Sequence, residues 1–84
     1  MTNSEFAKAV GCDVTTASRY RNGHRLPGVQ LLERIRLVLG VSHDELHAIW
    51  EKGTKWKAEH PKDPQGNPFG AYLRRTMFDD EAAA

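Results

Sequence analysis

With 84 residues the chain makes one small domain, and a core of that size leaves only a narrow margin of net stability. Cys12 is the only cysteine, so no intrachain disulfide can form, and no run approaches the about 18 apolar residues of a membrane span; a soluble, cytoplasmic protein with no membrane partner is expected. A net charge of +1 singles out no partner class, but its distribution is uneven: from Val14 to Leu32 stand Arg19, Arg21, His24 and Arg25 with no acidic residue. On charge alone, a solvated basic face and a nucleic-acid face account for that cluster equally well.

In chain order, Thr2 and Glu5 have the spacing of a capping box, so a first helix is expected to start almost at once. Phe6, Ala7 and Val10 place its apolar face at i, i+1 and i+4, and Gly11 stands where a left-handed cap ends it. Asp13 is placed to cap a second helix, over Val14 to Arg21, with Ala17 and Tyr20 turned to the first and Asn22-Gly23 as its end. Small residues at Ala7 and Ala17 permit close approach of the two helices. A basic loop, His24 to Gly28, leads through Pro27 into a third helix with Leu31, Leu32, Ile35, Val38 and Leu39 on its inner face and Gly40 at its close. Ser42 and Glu45 begin a fourth, with Leu46, Ile49 and Trp50 buried and Gly53 as its expected end.

These features divide the chain into a helical domain over 1–53, a Pro-rich linker over 54–68, and a C-terminal amphipathic helix with an acidic tail over 69–84. In the linker Pro61, Pro64 and Pro68 favour an extended path, and Trp56 either anchors it or awaits a partner. Phe69, Tyr72, Leu73, Met77 and Phe78 form the apolar stripe of the last helix, with Arg74 and Arg75 opposite. The fold class expected is all-α, a small bundle.

Catalytic patterns are missing. There is no Ser/His/Asp succession and no glycine-rich phosphate loop, and His43 and His47, although four apart on one helix, have no third ligand nearby to complete a metal set. An enzyme is not expected, nor is a cofactor, a metal or a small-molecule ligand.

The succession Glu5-Phe6-Ala7-Lys8-Ala9-Val10-Gly11, a short turn, a Thr/Ser-rich second helix, Asn22-Gly23, a basic loop with Pro27, and Leu31-Leu32 resembles the Cro/C1-type (XRE family) helix-turn-helix proteins. The resemblance runs from about Thr2 to Trp50. It implies a lambda repressor-like bundle that binds double-stranded DNA, as phage and bacterial repressors do, and a possible homodimer on the DNA. It also implies base-reading positions at Val14, Thr15, Ser18 and Arg19, where the Arg19 fork matches guanine O6 and N7 and the Thr15 methyl or Val14 can meet a thymine methyl. Thr16, Arg21, Asn22, His24 and Arg25 are placed by the resemblance near phosphates, and Asn3 and Ser4 can present side chains and N–H groups at the first helix's amino terminus. Family members usually carry one more helix before the first; here the C-terminal stripe is expected to cover that surface, by folding back or by crossing to a second chain. Two other functions fit the same residues: an architectural or excision factor, and an adaptor that binds a protein through Trp56 and the C-terminal helix.

Overall fold

The computed structural model describes residues 1–78, and the expected acidic tail lies outside the described residues. They form α1 (Asn3–Val10), α2 (Val14–Arg21), α3 (Val29–Leu39), α4 (His43–Glu59) and α5 (Pro68–Leu73), with a 3-10 turn at Pro64–Gly66 and a π-helical turn at Arg74–Phe78. The described residues contain no strand, so the fold is all-α, a small helix-turn-helix bundle.

Local chemistry sets the first boundaries. The Thr2 hydroxyl accepts from the Glu5 N–H at 3.1 Å while the Glu5 carboxylate accepts from the Thr2 N–H at 2.8 Å, a complete capping box. Gly11 caps α1 at φ 79°, donating its N–H to the Ala7 carbonyl. Asp13 caps α2, accepting the Thr16 N–H at 2.6 Å. Phe6, Ala7 and Val10 are buried against Ala17 and Tyr20, with Leu32, Ile35 and Leu46 closing the core from α3 and α4. Val38, expected inside, is 41% exposed: it lies at the edge of the α3 face centred on Leu32 and Ile35, where no element among the described residues covers it.

The second half of the chain departs from the expected linker. α4 does not end at Gly53 but continues to Glu59, so Thr54–Glu59 is helical. No proline occurs between Thr54 and His60, and His60, which precedes Pro61, is the C-cap; proline restricts only its own neighbourhood. Gly53 has a packing role. A Cβ there would stand 2.6 Å from the Phe69 Cβ and 2.8 Å from the Asn67 Oδ1, so the glycine admits the returning chain against α4. Asn67 is fully buried; its Nδ2 donates to the Gly53 carbonyl at 3.0 Å and its Oδ1 accepts from the Phe69 N–H at 2.9 Å, which caps α5 with Pro68 at the first helical position.

The C-terminal segment therefore folds back within the chain. Phe69, Leu73, Met77 and Phe78 are buried in the common core, Tyr72 is half-buried, and the Phe78 ring meets Phe6 of α1 at 5.2 Å between centroids. The expected single C-terminal helix is an α-helix followed by a π-helical turn. In an α-helix the consecutive residues Met77 and Phe78 would diverge by about 100°, and at this wider turn both are buried. Trp56 acts as the anchor: its indole N–H donates to the Asp63 carbonyl at 2.9 Å and its ring stacks on His60 at 3.8 Å, tying the turn after α4 to the helix.

Candidate nucleic-acid interface

Successive helical residues are separated by about 100°, which puts Val14, Ser18, Thr15 and Arg19 on one side of α2 and the buried Ala17 and Tyr20 on the other. Val14 is 49% exposed, a large apolar side chain left in water at the start of the helix. Thr15 and Arg19 are exposed beside it, and Ser18 is half-buried with its hydroxyl near the Asn22 amide at 3.4 Å. The four residues expected to read bases thus share one outward surface.

The residues expected near phosphates divide into two groups. His24 and Arg25 are exposed on the loop after α2, and Ser4 is exposed in the first turn of α1. There the capping box occupies the Thr2 and Glu5 N–H groups, leaving those of Asn3 and Ser4 at the helix end. The others make hydrogen bonds to neighbouring residues. Arg21 donates to the Asn3 side chain at 3.1 Å, its guanidinium lies 4.6 Å from the Phe78 ring centroid, and its carbonyl accepts from Arg74 Nη1 at 2.7 Å. Asn22 caps its own helix, donating its N–H to the Ser18 carbonyl at 3.0 Å. Thr16 is half-buried and supplies the N–H that Asp13 accepts. Arg74, unassigned by the sequence, fixes the carboxyl end of α2 from the opposite end of the chain; no local pattern announces a contact between residues so far apart.

Asp13 sets the start of the reading helix, and its electrostatics follow from its bonds. The hydrogen bond from the Thr16 N–H, with lesser help from Arg19 and Arg25, holds its carboxyl below the ordinary aspartate range. A depressed value means stability that is present above the unfolded-state value and lost as pH falls through the folded one. Asp13→Ala is therefore expected to melt below the parent at pH 7, with the difference closing as acid protonates Asp13; a gap independent of pH would show that the carboxylate is not the cap. Glu5, lowered by its bond from the Thr2 N–H, responds in the same direction.

Elsewhere the surface offers little chemistry. His43 and His47 stack at 4.0 Å between ring centroids, and among the described residues no three His, Cys, Asp or Glu side chains gather as a metal site. Burial first, then the neighbouring Asp13, pushes the Cys12 thiol up and so away from the reactive thiolate. No described helix is long and apolar enough to cross a membrane.

Comparison with known proteins points the same way. Neither the curated proteins nor the solved structures give a match. A family model described as helix-turn-helix matches residues 1–46, more than half of the chain and all of α1, α2 and α3. With two capped helices around a glycine turn, an outward face on the second and this match, the chain belongs to the Cro/C1-type (XRE) helix-turn-helix family of DNA-binding proteins.

Proposed function

We propose that the protein is a sequence-specific regulator that occupies an operator in double-stranded DNA and represses by doing so, a binding protein of the cytoplasm and not an enzyme. The observation that carries this is the shared outward surface of Val14, Thr15, Ser18 and Arg19, opposite the buried Ala17 and Tyr20. A helix presented in this way fits the major groove, where each base pair offers a distinct set of donors, acceptors and methyl groups. Arg19 takes a guanine and Val14 or Thr15 a thymine methyl, while Ser4, His24 and Arg25 meet the phosphates on either side. Two chains on a two-fold symmetric site are the arrangement proposed for binding.

Selection of bound fragments from a random DNA pool tests the reading directly, since a regulator recovers a consensus. On that consensus Arg19→Ala is expected to cost about 1–3 kcal/mol and relax preference at one base pair. Arg25→Ala should weaken all sequences about equally. The slope of log affinity against log salt should correspond to roughly 3–5 phosphate contacts per chain. Equal loss on cognate and scrambled DNA for Arg19→Ala would reject α2 as the reading helix.

A further inference from the structure

The family match ends at residue 46, yet α4 runs on to Glu59 and carries Lys57 toward the DNA-facing loop. Gly53, Lys57 and His60 follow at i, i+4 and i+7 and so share one face. Gly53 on that face is seated against Leu26, Asn67 and Phe69, which directs the next turn of the helix to the loop after α2. A recess of ≈ 70 Å³ results, with Gly23, His24, Trp56, Lys57 and His60 in its wall. Among the described residues, no acidic side chain lines it. Glu59 and Lys55 each lie about 200° around the helix from Lys57, on the far side. The His60 ring is held in place, stacked on Trp56, whose own N–H is fixed by the Asp63 carbonyl.

From this juxtaposition we infer that Lys57 and His60, together with His24, form a second phosphate-contact point, which grips the DNA backbone beyond the base pairs that α2 reads. The inference rests on the proposed docking of α2 in the major groove. With the loop of His24 and Arg25 against the backbone, the shared recess carries the cationic surface onward along the same strand. Lys57 contributes a point charge whose pairing with a phosphate releases a condensed counterion, and the His60 ring offers an N–H donor in a fixed orientation. Contacts of this kind add affinity and set register, and read no base.

A cation near a helix carboxyl terminus also complements the helix dipole, and the experiment separates that use from DNA contact. Lys57→Gln, H60Q and, as the control on the far face, Lys55→Gln are titrated on two duplexes: one ending at the selected consensus, one extended on both sides. Glutamine is a good helix former, and far-UV circular dichroism checks that each variant keeps its helix content. The expected result is that parent and Lys55→Gln bind the extended duplex more tightly than the short one, while Lys57→Gln and H60Q lose much of that gain. Lys57→Gln should also lower the salt slope by about one with base preference unchanged. A folded Lys57→Gln with the parent's slope and the parent's gain from flanking DNA overturns the inference and leaves the regulator standing, provided Arg19→Ala still relaxes base preference. A parent slope near zero overturns both.

Discussion

Cutting the chain after Glu59 is expected to abolish cooperative unfolding at 25 °C, although the remaining residues contain the whole of the family match. The lost segment supplies Phe69, Leu73, Met77 and Phe78, all buried. At about 1.5–3 kcal/mol for each side chain removed from water, their gross contribution of roughly 6–12 kcal/mol is as large as the net stability of an ordinary domain, about 5–15 kcal/mol. Their departure also uncovers what they cover. Phe6, fully buried, would lose the Phe78 ring, and the carboxyl end of α2 would lose the Arg74 guanidinium. Phe69→Ala alone should cost about 3–5 kcal/mol. Circular dichroism melts with sedimentation check this: a truncated chain that melts cooperatively at the parent's temperature would show that the C-terminal segment is dispensable. The fold also bears on the adaptor alternative, because the stripe offered to a partner is spent within the domain and Trp56 is bonded to its own turn.

Gly23→Ala is expected to be the most damaging single exchange at a turn, and Gly40→Ala is its control. Both glycines have positive φ, 78° and 71°, so alanine meets the left-handed penalty of about 1–2 kcal/mol at each. The loss of unfolded-state freedom is the same at both sites and cancels between them. The surroundings differ. Nothing lies within 4 Å of a Cβ built on Gly40, whereas one on Gly23 overlaps the Pro64 carbonyl and lies 2.9 Å from the Asn67 Cβ. The neighbour is backbone and cannot swing aside, so displacement adds about 1–3 kcal/mol. Gly23→Ala should therefore lose about 2–5 kcal/mol and Gly40→Ala about 1–2 kcal/mol. For a domain of this size each kcal/mol moves the midpoint by about 4–8 °C, so thermal melts resolve the two. Equal melting temperatures would mean that the turn at Pro64 does not press on the end of α2.

α1, α2 and α3 were legible because their determinants are local: the Thr2 and Glu5 pair, Asp13 before the second helix, Gly11 and Gly40 at helix ends, and apolar residues recurring at the helical period. Each acts within one or two turns of itself, so a window of a few residues contains both cause and effect. The base-reading positions of α2 came from the family resemblance, and the helical period sets them opposite its buried Ala17 and Tyr20. The sequence also contains a local cap signal at Asn67-Pro68, set among other prolines.

What only the tertiary structure decided are contacts between residues distant in the chain. Gly53 read as a helix end because glycine disfavours helix, yet it is the place where Asn67 and Phe69 come against α4. Arg21 was expected beside a phosphate, yet it contacts Asn3 and Phe78 and has its carbonyl bonded by Arg74. Lys57 and His60 were residues of an expected linker until α4 continued and set them beside His24. At Gly53 the local preference is about 1 kcal/mol, and burial of Phe69 with satisfaction of the buried Asn67 amide outweighs it. A glycine, an arginine or a lysine carries no mark in its own neighbourhood of which distant element will reach it.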